Sequence, residues 1–494
     1  MQDQDNTNES GGEATQTAGQ PGPHNRDIKK ELPQNILAGL TVSFAAISLG
    51  AAFGLQSGRT NGLLVGILSA GVIAAITSLL GGTRIQCSGP TAPMTTVTMT
   101  VWAAATGLLA VELMNAQYTA DQFMTVVLIL TGLLLVLMAV FRLGKFIKFV
   151  PTPVISGFMN GIAILIWIGE FKKLFGLGSK QLICNDAQLA KDWCTPDLMN
   201  QIVAVPNQPY QGGLLPNVIF AAITCVLLFT VPKLINAAIP KYKSFLPGTL
   251  VVIIVMSLVH HFLGLGLGIP TLTPFTSELF KETVAAQIPS AFDMAVVLLA
   301  LPYALNLTLL AYLDTLLTSL VIDKKIVETF GYRDDTKQNK ELVAQGVANG
   351  VVAFIGGIPG AQATIRSVLI LKENATLRLA GILSGVFVLI EMLVFQDWVQ
   401  YIPLSVFAGL LIKVGYDVMD WDPILNWVKE LGKKIEVPKV PMIDMFFIAG
   451  TTVVTVVVNL NVAVISFTIL FYVLARFAPA LMKKDQAAAE GTDG

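Results

Sequence analysis

The chain has 494 residues, 54% of them hydrophobic and only 13% charged, and its mean hydropathy is +0.67. Soluble globular proteins carry about 25% charged residues, so this composition excludes a soluble body and calls for a polytopic membrane protein. With 32 Lys and Arg against 33 Asp and Glu, there is none of the basic excess that a nucleic-acid partner requires.

Residues 1–30 are polar, rich in Gly, Gln and Asn, and lack the apolar core of a cleaved signal peptide. They read as a disordered cytoplasmic tail. A helix needs about 20 apolar residues to cross the hydrocarbon. Runs of that kind begin near residues 34, 62, 120, 150, 214, 246, 291, 341, 376, 398, 441 and 461. Two further stretches, 91–110 and 361–371, follow Gly/Pro-rich segments and are expected to start inside the membrane. The expectation is an all-α polytopic membrane protein with about 14 transmembrane segments in residues 31–480. A first repeat covers about 31–266, a second about 291–480, and a short cytoplasmic tail 481–494.

Alternate connections carry most of the cations: Arg142, Lys145 and Lys148; Lys233, Lys241 and Lys243; then Lys324, Lys325, Arg333, Lys337 and Lys340. Lys372 and Arg378, the group from Lys429 to Lys439, and Lys483 and Lys484 continue the pattern. The positive-inside rule then predicts an inner-membrane protein with both termini cytoplasmic. The long polar connection ICNDAQLAKDWC is external on that reading. Its Cys184 and Cys194 could pair there in an oxidising compartment or stay reduced. Cys87 and Cys225 lie in or beside apolar runs and read as small buried thiols.

Function enters with a repeat. GGTRIQCSGPTAPMTT at 81–96 and GGIPGAQATIRSV at 356–368 share a Gly-Gly pair, small residues, a Pro and a helix rich in Thr or Ser. Seven segments per half is an odd number, so the halves insert with opposite topology. Inverted repeats with matched broken helices point to a transporter's midplane site. A helix that starts in mid-membrane aims unpaired N–H groups and roughly +0.5 charge at the bilayer centre, which suits an anion.

Three polar residues sharpen that reading. Arg366 is expected about two turns into the second half-helix, where a guanidinium either serves an ion path or meets a structural need by snorkelling or pairing. Asp314, in YLDTLLTSLV, shares a helix face with Thr318. The pair could hold Na⁺, the carboxylate could carry a proton, or Asp314 could form a structural salt bridge to Arg366. His260 and His261 stand alone at a span end, so no metal cluster can be drawn. The Glu341–Lys337 and Asp323–Lys325 charges read as a solvated face, and Glu170 as interfacial.

SGPTAPMTT at 88–96, FVPTPVISGFMNGIAI at 149–164, YLDTLLTSLV and QNKELVAQGVANGVVAFIGGIPG at 338–360 together resemble the sulfate permease (SulP) family of anion transporters. The resemblance implies a seven-plus-seven inverted repeat with core and gate domains and elevator-type movement. It also implies an anion held between the starts of the family's third and tenth helices. Those positions correspond to Thr91, Ala92, Gln362, Ala363 and Thr364, with Arg366 at the anion site and Phe53 as the aromatic residue of the first helix.

The family's BicA-type bicarbonate branch further implies a cation site at Asp314, Thr318 and Thr364. Departures from the family pattern are Ser48 where a Pro is usual and Leu49 where a Gln is frequent. Gln362 and Arg366 stand where the bicarbonate branch has Gly. The regulatory STAS domain that usually follows the last span is expected to be missing, which puts the usual homodimer in question.

The function expected is secondary active transport of bicarbonate or sulfate coupled to Na⁺ or H⁺. An uncoupled anion channel or an anion exchanger is the alternative. No enzyme activity is expected, and no cofactor beyond the coupling ion.

Overall fold

The computed structural model describes residues 28–477 except Thr60, Asn459 and the segments 176–178, 183–201, 206–213, 239–247, 263–276, 290–291, 399–400 and 431–440. Cys184, Cys194 and the tail 481–494 lie outside the described residues. Residues 28–30, expected in the N-terminal tail, belong to the first helix.

Seventeen α-helices are described. The first half holds α1 (Ile28–Gln56), α2 (Gly62–Leu80), α3 (Ala92–Thr106), α4 (Ala110–Asn115), α5 (Ala120–Val140), α6 (Thr152–Leu174), α7 (Leu214–Ala238), α8 (Gly248–Phe262) and α9 (Ser277–Ala285). The second holds α10 (Met294–Phe330), α11 (Gln338–Phe354), α12 (Thr364–Lys372), α13 (Leu379–Val394), α14 (Leu404–Val418), α15 (Trp421–Glu430), α16 (Met442–Val457) and α17 (Leu460–Phe477). Seven of them (α1, α2, α5, α6, α7, α10 and α17) are long and apolar enough to cross a membrane, and α8, α13 and α16 are shorter apolar helices. The protein is a multi-pass membrane protein.

Local chemistry sets several helix starts. Thr119 and Gln122 form a reciprocal capping box ahead of α5. Asp293 caps α10 by accepting from the Ala295 N–H at 2.9 Å. Gly331, at φ 72°, ends α10 in the left-handed conformation that glycine adopts without strain. α1 and α2 meet backbone to backbone: a Cβ on Gly54 would lie 2.0 Å from the Gly62 carbonyl oxygen. No side chain fits in that seam.

Beside the helices, the described residues include four short strands, β1 (Ser88–Gly89), β2 (Ser179–Leu182), β3 (Ile202–Val205) and β4 (Ala361–Gln362). β2 and β3 pair antiparallel within the long polar connection. β1 pairs antiparallel with β4, and thus joins the two repeated loops.

The helices pack in two groups. In one, α5 lies against α10 and α11, while α13 lies against α1 and α2. In the other, α6 lies against α16 and α14 against α7, with α6 and α14 also in contact. Each of these contacts between the halves thus has a counterpart with the halves exchanged. Links between the groups are sparser and include a side-chain hydrogen bond from Asn461 of α17 to the Asn306 carbonyl of α10, at 2.8 Å.

Candidate functional site

The site is built around the β1–β4 pair. Ser88 stands opposite Gln362 and Gly89 opposite Ala361. Because the two segments run antiparallel, the chain leaves them toward α3 and α12 at opposite ends of the pair. Neither helix start has a side-chain cap: Thr91 before α3 and Ala363 before α12 make no capping hydrogen bond. The first-turn N–H groups of both helices are therefore left for another acceptor.

Arg366 is in the first turn of α12, nearer its start than the two turns expected from sequence. It is the largest of the side chains with under 2% exposure among the described residues. One Nη2 donates to the Pro90 carbonyl at 2.8 Å, while its Nε and Nη1 have no partner. The Nε2 of buried Gln362 is likewise unpartnered. Buried donors of this kind are costly unless something accepts from them. The guanidinium packs against Gly89, whose φ is +151° and where a Cβ would sit 2.6 Å from Arg366 Nη1. Glycine at 89 is required both by backbone conformation and by this contact.

One turn of α10 fastens both helix starts. Asp314 Oδ2 accepts from the Thr91 hydroxyl at 2.6 Å. Thr315 Oγ1 accepts from the Gln362 N–H at 3.3 Å, and Thr318 shares a 2.7 Å hydrogen bond with Thr364. Asp314 remains partly exposed, Thr318 is buried, and Thr364 is half-buried. Among the described residues Asp314 makes no ion pair with Arg366, so the structural salt bridge considered from sequence does not form. Ala92 is the first residue of α3 and is buried. Phe53 is buried in α1, within the same apolar cluster as Ala92 and Ala361, and α1 packs on both α3 and α12. The structure therefore gathers Thr91, Ala92, Gln362, Ala363, Thr364, Arg366, Asp314 and Thr318, with Phe53 on the adjoining helix.

Several residues around the site escaped the sequence reading. Glu341 is fully buried rather than solvated. Its Oε2 accepts from the N–H groups of Gly82 and Thr83 at 2.8 and 2.9 Å and from Gln86 Nε2 at 3.0 Å, and its Oε1 from Gln345 Nε2 at 3.0 Å. Gln345 also donates to Ser88 Oγ at 2.7 Å, and Asn349 bonds both the N–H and the carbonyl of Gly360. Positions 341, 345 and 349 recur every four residues. That polar stripe in QNKELVAQGVANG was the available signal, for it lies on one helix face.

Two arginines complete the frame. Arg59 is buried and donates to the Gly357 carbonyl at 2.6 Å, to Asp121 at 2.6 Å and to Gln287 at 2.9 Å. Arg378 Nη1 donates to the Gly81 and Thr83 carbonyls at 2.8 and 3.1 Å. Each Gly-Gly loop is thus held by an arginine through its carbonyls. Glu170 is 1% exposed in α6, a turn short of its end. Asp323 is half-buried and accepts from the N–H and hydroxyl of Thr336, while Lys325 pairs with Glu328 on the exposed face.

The description "Sulfate permease family" fits this chain over residues 32–438. The chain belongs to the sulfate permease family. Its members are transporters, not enzymes, and the protein is an anion transporter of that family. Curated relatives include a putative sulfate transporter, YvdB, of Bacillus subtilis, 27% identical over 90% of this chain and 73% of that protein. Another is the bicarbonate transporter BicA of Picosynechococcus, 28% identical over 89% of this chain and 69% of that one. Among solved structures, the transmembrane domain of a cyanobacterial BicA superimposes with a TM-score of 0.67 at 26% identity, covering 89% of this chain and 98% of that domain. The animal transporter SLC26A9 gives a TM-score of 0.63 at 17% identity over 91% of this chain and 66% of its own, a likeness of fold.

Proposed function

We propose that this sulfate permease family member is a secondary active transporter of a small oxyanion, bicarbonate or sulfate, driven by Na⁺ or H⁺. The observation that carries the reading is the pair of opposed, uncapped helix starts beside a buried arginine with two unpartnered N–H donors. An oxyanion there accepts from the first-turn N–H groups of α3 and α12, from Arg366 Nε and Nη1, and from Gln362 Nε2. Positive helix ends and a guanidinium reinforce one another in a low-dielectric setting. Relatives that carry sulfate or bicarbonate by name support the substrate class.

The coupling cation is assigned to Asp314, Thr318 and Thr364, an oxygen set beside broken helices of the kind that suits Na⁺. Asp314 would take a proton if H⁺ drives uptake. Because the Asp314 carboxylate bonds Thr91 at one helix start and Thr318 bonds Thr364 at the other, a cation arriving here tightens the frame around the anion. Coupling requires this difference in affinity between loaded and empty states.

The reciprocal packing of the two halves supports a 7+7 inverted repeat of about 14 crossing segments across residues 31–480. In this reading α1–α3, α5 and α10–α13 form a mobile core, and α6–α8, α14, α16 and α17 a gate against which it slides. The clustering of Lys and Arg supports cytoplasmic termini. The gate surface is where a homodimer would form.

The test is uptake of labelled bicarbonate and labelled sulfate into proteoliposomes, with and without an inward Na⁺ gradient at fixed pH, and then with a pH gradient. Cation-stimulated uptake of one label that disappears in Asp314→Asn supports the reading. Uptake by that variant that still rises with the cation rejects the role of Asp314. Anion flux indifferent to both gradients in the unaltered protein makes it a channel or an exchanger.

A further inference from the structure

An apolar crevice of about 180 Å³ opens on the outer surface of the bundle between α5 and α10, lined chiefly by Leu134, Leu137, Phe141, Leu143, Leu305 and Leu309. Thr308 contributes the lining's hydroxyl, and this already donates to the Ala304 carbonyl at 2.7 Å. Leu137, Phe141 and Leu305 are 46%, 66% and 44% exposed, so the crevice faces the hydrocarbon and not the protein core. One end of it is closed by a turn with fixed geometry. Arg142 stands there at φ 58° between α5 and a short 3₁₀ helix, Leu143–Phe149. Tyr312 donates its hydroxyl proton to the Leu143 carbonyl at 2.8 Å, and the Gly144 N–H donates to Asn339 Oδ1 at 3.1 Å.

That turn gathers cations. Arg142 falls between two residues of the crevice wall, Lys145 follows three positions on, and Lys340 is next to the Asn339 that bonds Gly144. All three are exposed, and among the described residues none of their side chains has an ion pair or a hydrogen bond. An apolar slot open to lipid, with unpaired cations on and beside the turn that closes it, matches a molecule with a hydrocarbon tail and a negative head.

We propose that the crevice between α5 and α10 seats one acyl chain of an anionic phospholipid whose headgroup rests on Arg142, Lys145 and Lys340. Burial of chain methylenes supplies attraction for any phospholipid, and the three cations select a net negative headgroup over a zwitterionic one. This site is separate from the β1–β4 centre and does not depend on which anion is transported.

The experiment is native mass spectrometry of the full chain in detergent, titrated with phosphatidylglycerol and, separately, phosphatidylcholine. One phosphatidylglycerol should be retained about tenfold more tightly than phosphatidylcholine. In the combined Arg142→Gln, Lys145→Gln, Lys340→Gln variant the preference should fall to parity, since exposed side chains are changed without touching the core. Leu137→Trp, which fills the crevice and keeps the cations, should weaken both lipids. A phosphatidylglycerol preference that survives the triple change overturns the headgroup assignment. Binding of both lipids unaltered by Leu137→Trp overturns the crevice.

Discussion

Thr318 of α10 and Thr364 of α12 face each other across a 2.7 Å hydrogen bond, four residues along α10 from the carboxylate that holds Thr91. A single helical turn thereby spans both broken helices. Thr318→Val keeps the side-chain shape and removes the hydroxyl. A lost hydrogen bond of about 1 kcal/mol should raise the half-saturating cation concentration roughly five- to tenfold, with anion affinity at saturating cation little changed. Uptake at graded Na⁺ or H⁺ measures it.

Arg366→Gln should reduce anion uptake at low substrate by about 100- to 10,000-fold. Two charge-assisted donors of roughly 1.5–3 kcal/mol each are removed. Arg366→Lys restores the charge but not the planar fork, so it should recover only part of that loss. Initial rates over a range of anion concentrations separate the two variants.

Gly89→Ala should be as damaging as removing the arginine, although it changes no charged group. The new Cβ would meet Arg366 Nη1 at 2.6 Å in a backbone conformation that L residues rarely adopt. Uptake should be lost while the protein still elutes as a folded species in size-exclusion chromatography.

Glu341→Gln tests the buried frame. Four donors converge on that carboxylate, and a carboxamide would turn an N–H₂ toward some of them. Unsatisfied buried donors cost about 1–3 kcal/mol, so the melting temperature in detergent should fall by several degrees.

Arg378→Lys should be tolerated and Arg378→Gln should not. One nitrogen, Nη1, serves the Gly81 and Thr83 carbonyls, and an ammonium has three donors to offer. Half-saturation for the anion is the readout: near the unaltered value in Lys, raised several-fold in Gln.

The residues that break the helices were plain in the sequence, because Gly-Gly and Pro in an apolar run have few other uses. Asp314 and Arg366 stood out for the same reason, as ionised groups in segments that otherwise exclude them. Glu341, Arg59 and Glu170 did not stand out, since each lies near the end of an apolar run where charge is ordinary. The partners of Glu341 and Arg59 are largely backbone groups and glutamines, and backbone groups leave no mark on residue type. The depth of Arg366 within its helix was misjudged because the extended residues of β4 were counted as helix. Pairing with β1 keeps them extended, and no local propensity records that pairing.

The two-residue ladder between Ser88–Gly89 and Ala361–Gln362 makes the floor of the site common property of both halves. A substitution in either loop changes the scaffold that the other loop leans on. The halves therefore cannot drift apart freely at these positions, however far they diverge elsewhere. A new substrate preference would be reached most easily by paired changes, one on each side of the seam.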